Sequence, residues 1–219
     1  MFSAISARYD LANTVLSLSR DAEWRRRAVA ELGKRRRVID IATGTGELAI
    51  LAAAGAEQVV GTDFSLKMLE IARKKMRDKG LRLPLVLCDA HSLCFSSASF
   101  DGALLAFGLR NFEDMQKALE EIARVLEPGG KLVILEFTLP PNALLRRLYS
   151  AYFFHILPIV GGLLTGRKDA YAYLPASVSD FPPPEHVVEL LEGAGFENVR
   201  VELLTAGIVA MYSGVRRSS

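Results

Sequence analysis

The chain has 219 residues, 50% of them hydrophobic and 24% charged, which is enough to bury one sizeable core and too apolar for a disordered polypeptide. Lys and Arg number 27 against 25 Asp and Glu, and a net charge of +2 excludes a protein that coats nucleic acid through bulk charge. Two cysteines, Cys88 and Cys94, exclude a disulfide framework, and neither C-x5-C nor the scattered His91, His155 and His186 makes a metal-ligand pattern, so no metal is expected. The opening M-F-S-A-I-S-A-R-Y-D lacks the charged-then-apolar order of a secretory leader, and a cytoplasmic location is expected. A mean hydropathy of +0.21 is the discordant note.

Apolar positions at helical spacing (Leu11, Val15, Leu18, Ala22, Val29) predict one or two helices over residues 10–32. Strand-like runs then alternate with amphipathic segments. Strands are predicted over Val38–Ala42, Gln58–Thr62, Pro84–Cys88, Asp101–Phe107 and Lys131–Phe137. Helices are predicted over Glu47–Ala54, Leu66–Lys79 with Gly80 as the stop, and Asp114–Leu126. Glu127-Pro128-Gly129-Gly130 reads as a turn. A largely apolar segment runs to Thr165, and a helix over Pro184–Gly193 precedes strands Val199–Leu204 and Ile208–Gly214. Thr205-Ala206-Gly207 between them is short enough for a hairpin. The pattern predicts an α/β, Rossmann-like, mostly parallel seven-stranded sheet with helices on both faces and an antiparallel C-terminal hairpin. It also predicts a single domain over 1–219, with a helical cap over 1–36 and an insertion over 140–182.

The main chemical signal is Asp40-Ile41-Ala42-Thr43-Gly44-Thr45-Gly46-Glu47, placed where strand gives way to helix. Glycines there permit a tight turn and close approach of backbone to a ligand at a helix N-terminus. Asp63 ends the next strand, 23 residues beyond Asp40, near the spacing of an acid that accepts hydrogen bonds from an adenosine ribose. Asp89, within Cys88-Asp89-Ala90 at the end of the third strand, is suited to the exocyclic amine of an adenine. Gly44-x-Gly46-x-x-Ala49 also satisfies a relaxed dinucleotide fingerprint, which keeps an NAD-binding domain open. Two acids bracketing one adenosine favour S-adenosylmethionine, and the chain leaves no room for a second nucleotide-binding half.

The residues resemble those of the class I methyltransferases, and among them the C-methyltransferases of ubiquinone and menaquinone biosynthesis. Matching segments are F-S-A-I-S-A-R-Y-D-L-A-N at 2–13, D-I-A-T-G-T-G-E at 40–47, F-G-L-R-N at 107–111, R-V-L-E-P-G-G-K-L-V-I-L-E-F at 124–137, Y-x-Y-L at 171–174 and L-T-A-G-I-V-A at 204–210. The resemblance implies a donor site of Gly44, Thr45 and Gly46 in the loop, Asp63 with Phe64 at the ribose, and Asp89 with Ala90 at the adenine. It implies that Tyr9 helps close the site and that Arg110 and Asn111 face the substrate ring. Ala106 stands where the family commonly has a serine, which removes a hydroxyl contact to the donor.

The implied reaction is methylation of the ring of a demethylated isoprenoid quinol. Another small molecule or RNA is the alternative acceptor, although no nucleic-acid partner is expected. A ring carbon becomes a good nucleophile when the adjacent phenol ionises, and Arg110 is a candidate for stabilising that phenolate. The bland reading pairs Arg110 with an acid such as Asp114, and His155 between Phe154 and Ile156 reads as core. Leu144–Thr165 is interrupted by Arg146, Arg147, His155, Pro158 and Gly161-Gly162, so it reads as a bent cover over an apolar tunnel rather than a membrane span. A buried helix or an oligomer interface, as in a homodimer, is the competing reading. Residues 20–37 hold eight basic side chains against three acids, a local charge of +5 suited either to anionic lipid at the inner face of a membrane or to plain solvation.

Overall fold

The computed structural model describes residues 20–151 and 177–218. Tyr9, His155, the Y-x-Y-L segment and most of the 140–182 insertion therefore lie outside the described residues.

Seven strands form one sheet: β1 (Arg35–Ile41), β2 (Ala56–Asp63), β3 (Leu85–Leu87), β4 (Phe100–Ala106), β5 (Leu126–Phe137), β6 (Phe196–Leu204) and β7 (Val209–Arg216). Their spatial order is β3-β2-β1-β4-β5-β7-β6. The first five run parallel, and β7 pairs antiparallel with both β5 and β6, which is the predicted closing hairpin. Helices α1 (Asp21–Leu32), α2 (Glu47–Ala52), α3 (Leu66–Asp78), α4 (Met115–Val125), α5 (Ala143–Ala151) and α6 (Pro184–Gly193) accompany it.

Alternation along the central strands divides the core into two layers. Val38, Leu104, Val133 and Leu135 meet Trp24, Ala28 and Leu32 of α1, Leu48 and Ala52 of α2, and Ala72 and Met76 of α3. Ile39, Ile41, Ala103, Leu105 and Ile134 meet Leu119 and Ile122 of α4 and Val187 and Leu191 of α6. Burial on both faces explains why these strands read as nearly unbroken apolar runs.

The largest departures from the sequence expectation are at three strand starts. β1 begins at Arg35: Arg35 and Arg37 pair with Ala56 and Gln58 of β2, and Asp101 accepts from the Arg36 and Arg37 amides at 2.9 and 2.7 Å. β5 begins at Leu126: Phe100 and Gly102 pair with Leu126 and Lys131, so the Pro-Gly-Gly turn is a bulge carried within the strand. β6 begins at Phe196 and has an irregularity between Glu197 and Arg200.

The basic run is largely matched by the protein's own acids. Arg25 pairs with Asp21, Arg27 with Glu202, Arg36 with Asp101 and Glu127, and Arg37 with Glu127. Among the described residues, no helix is long and apolar enough to cross a membrane.

Candidate active site

The C-terminal ends of β1, β2, β3 and β4 open on a cavity of about 300 Å³, on the side of the sheet where ligands bind in open parallel folds. Its walls include Gly44, Asp63, Phe64, Asp89, Ala90 and Asn111, bringing together residues from four separate chain segments. A smaller recess beside it is lined by Arg25, Asp40, Thr43, Gly44 and Thr45.

The glycine loop follows β1 because backbone and side chains there have few alternatives. Gly44 and Gly46 have φ of 55° and 83°, the left-handed region in which a Cβ is strained. At Gly46 a Cβ would also lie 2.7 Å from Met76 Cε. The Thr43 amide donates to Thr62 O at 2.8 Å, and the Thr43 hydroxyl donates to Asp40 Oδ2 at 2.5 Å. Lys75 reaches back from α3 to Glu47 at 2.6 Å and to the Thr45 hydroxyl at 3.3 Å. Burial pushes the Asp40 carboxyl up to about 7, against the opposing pull of the Thr43 hydroxyl and the Arg25 charge.

Asp63 is buried at the end of β2. Its Oδ2 accepts from the Gly44 amide and its Oδ1 from the Ser65 amide, both at 2.9 Å. Burial raises its pKa, and these two amides oppose the rise. A carboxylate has about four acceptor positions, so two bonds leave capacity for a pair of ligand hydroxyls. Phe64 beside it is 67% exposed, an aromatic face beside an opening. Across the cavity Asp89 is held mainly by the His91 amide, and then by the His91 ring, which together lower its pKa. Cys88 contributes a neutral wall: burial pushes its thiol up to about 11, and its sulfur accepts from the Cys94 amide at 3.0 Å.

Arg110 and Asn111 lie in a short 3-10 turn after β4, preceded by Phe107 at φ 58°. Only Asn111 of the two lines the cavity. Arg110 turns instead to Glu136, which is fully buried on β5: Nη1 donates to Glu136 Oε1 at 2.6 Å and to Phe107 O at 2.7 Å. Its own amide also donates to Glu136 Oε2 at 3.1 Å. Asp114, the acid expected beside Arg110, caps α4 by accepting from the Lys117 amide at 2.9 Å. Glu136 is the buried partner that the sequence reading did not single out. An acid inside the apolar run V-I-L-E-F was its signal, since a buried carboxylate needs a cation. His91, Phe112 and Glu113 also line the cavity and were not singled out.

A parallel sheet closed by an antiparallel β7, with a glycine loop after β1 and acids after β2 and β3, defines a Rossmann-like methyltransferase. The fold recurs in solved structures: a putative S-adenosyl-L-methionine-dependent methyltransferase of Methanococcus maripaludis has a TM-score of 0.70 at 21% identity, covering 100% of this chain and 95% of the other. The profile of the ubiE/COQ5 methyltransferase family matches residues 1–216, and the chain belongs to that family. It is 49% identical to a demethylmenaquinone methyltransferase of Thermus thermophilus, covering 99% of this chain and 100% of the relative. It is 44% identical to a ubiquinone/menaquinone biosynthesis C-methyltransferase of Syntrophotalea carbinolica, over 99% and 92% of the two chains. The enzyme is therefore an S-adenosylmethionine-dependent methyltransferase, and the NAD-binding reading of Gly44-x-Gly46-x-x-Ala49 is set aside.

Proposed function

We propose that this enzyme transfers a methyl group from S-adenosylmethionine to a ring carbon of a demethylated isoprenoid quinol. Whole-length relatedness to methyltransferases named for that chemistry carries the reading. The donor supplies an electrophilic methyl group on a sulfonium, and its acceptor must be aligned for in-line displacement.

In this reading Gly44, Thr45 and Gly46 border the amino-acid part of the donor, Asp63 takes the ribose beside Phe64, and Asp89 with Ala90 takes the adenine. Tyr9 closes over the donor, as the family resemblance implies. Asn111 faces the acceptor ring. Arg110 backs it, fixing the Phe107–Asn111 loop through Glu136. Arg110 does not line the cavity, and its role in this reading is to hold the loop that carries Asn111. Glu136 already balances the guanidinium charge. Water ordered by Asn111 takes the phenol proton. As the methyl–sulfur bond breaks and the methyl–carbon bond forms, S-adenosylhomocysteine leaves. Loss of the hydrogen on that ring carbon to water restores the aromatic ring, whose oxygen takes a proton back.

The acceptor's prenyl tail requires an apolar path. The described start of the 140–182 insertion offers Leu144, Leu145 and Leu148 of α5, all exposed. These side chains support the covering role of that segment and peripheral contact with the membrane that holds the quinol. The deciding experiment incubates the protein with isotopically labelled S-adenosylmethionine and total lipid extract. Mass spectrometry should find one labelled methyl group added to a demethylated quinol. A quinone pool without label, with label appearing in RNA or in a water-soluble product, would reject this acceptor.

A further inference from the structure

His91 lies in the wall of the cavity and is bound on both of its ring nitrogens. Nδ1 is 2.7 Å from Asp89 Oδ1, and the His91 amide donates to that same oxygen at 2.9 Å. Nε2 is 3.3 Å from the backbone nitrogen of Asp114. A peptide amide can only donate, so Nε2 is the acceptor and the ring proton sits on Nδ1, directed at Asp89. The ring also packs edge-on against Phe112, with centroids 5.6 Å apart. The imidazole thus joins the loop after β3 to the start of α4, on the same short connection that carries Asn111.

The bonding leaves the Asp89 carboxylate with two unequal oxygens. Oδ1 receives both His91 donors, whereas Oδ2 has no hydrogen-bond donor among the described residues. A carboxylate whose side chain is 65% exposed would otherwise rotate freely. Held by one oxygen, it presents the other in a fixed direction.

We infer that His91 is a positioning residue of the donor site: as a neutral imidazole it fixes Asp89 for the exocyclic amine of an adenine and ties that grip to the Asn111–Asp114 segment facing the acceptor. The inference rests on the reading of Asp89 as the adenine contact. His91 touches neither the reacting carbon nor the acceptor in this role, and acts through the two segments it joins.

The test uses S-adenosylhomocysteine titrated calorimetrically into the full chain, with quinol kinetics beside it. His91→Ala should weaken the ligand about tenfold. His91→Asn should restore most of that loss, because its carboxamide nitrogen can replace Nδ1 toward Asp89. The same variant is too short to replace Nε2, so the KM for the quinol should stay raised although donor affinity has returned. Asp89→Ala should weaken the ligand at least as much as His91→Ala, and the double variant no more than Asp89→Ala alone. If Asp89→Ala weakens binding but His91→Ala does not, or if their effects simply add, the role of His91 is refuted while the donor reading stands. If Asp89→Ala leaves affinity unchanged, the adenine contact itself is wrong and His91 falls with it. A fold defect in His91→Ala would be visible by circular dichroism, and the His91→Asn comparison then decides alone.

Discussion

Asp40 is a fully buried carboxyl whose folded pKa of about 7 lies well above its ordinary 3.8. Below both values the group is protonated in either state and contributes no pH dependence. Between them the unfolded chain releases a proton that the folded protein keeps, so stability falls as pH rises through that window, then levels off above it. Burial gives Asp63 the same sign. Asp40→Asn should therefore flatten the decline between about pH 5 and about pH 8. Urea midpoints of both proteins at the two pH values measure it; equal slopes would remove Asp40 from the account. Asp89, whose pKa is lowered by the His91 amide, works in the opposite sense and loses its contribution as pH falls.

The Phe107–Asn111 turn is held to β5 by one ion pair, with Arg110 6% and Glu136 0% exposed. Removing one member of a buried pair strands the other charge, at a cost of about 3–5 kcal/mol. Glu136→Ala should lose about that much stability in chemical denaturation, and most of its activity with it. Removing Arg110 as well should cost less than the sum of the single losses. Among the described residues the buried Tyr212 hydroxyl has no partner, and burial, followed by the Glu136 charge, raises its pKa. In the glycine loop, whose Gly46 lines neither cavity, Gly46→Ala places a Cβ in left-handed backbone and against Met76 and Ala72 of α3. About 1–3 kcal/mol of stability should be lost through strain, and donor affinity should fall further than that change explains. A thermal melt and a donor titration on the same sample separate the two effects.

Element identity was well written in the sequence wherever apolar period and a stop signal agreed. α6 occupies Pro184–Gly193 as expected, with proline at its first turn and an apolar stripe at Val187 and Leu191. β1 was foreshortened because Arg35, Arg36 and Arg37 carry no apolar pattern, and only partners distant in sequence, the start of β2 and Asp101, make them strand. The meeting of Asp63 and Asp89 at one cavity was legible for a simple reason: Asp63 ends β2 and Asp89 follows the end of β3, so chain position nearly dictates spatial position. That Arg110 pairs with an acid was legible, but its partner was not, since Glu136 is brought to it by the β4–β5 register. His91 was hidden for the same reason, its second partner lying 23 residues away.

At the scale of the whole molecule, the basic N-terminal run and the apolar surface give different forecasts for membrane contact. Arg25, Arg27, Arg36 and Arg37 are paired with internal acids, which reduces what they can offer to lipid headgroups. Leu144 and Leu148 on α5 are 67% and 60% exposed, and apolar contact is the stronger expectation. Leu144→Ser with Leu148→Ser should lower co-sedimentation with phospholipid vesicles severalfold. Turnover of a short-tailed, water-soluble quinol should change little, and equal loss in both assays would show that α5 serves the site rather than the surface.

β7 follows every other described strand in chain order, yet it lies inside the sheet, between β5 and β6. A ribosome releases this chain from the N-terminal end, so the edge of β5 stays bare until the residues from Val209 onward have left the exit tunnel. The growing polypeptide thus carries an open strand edge from the emergence of β5 until β7 has followed it. Premature termination just before Val209 would leave two unpaired edges, a product bound for chaperones and proteases rather than a weakened enzyme.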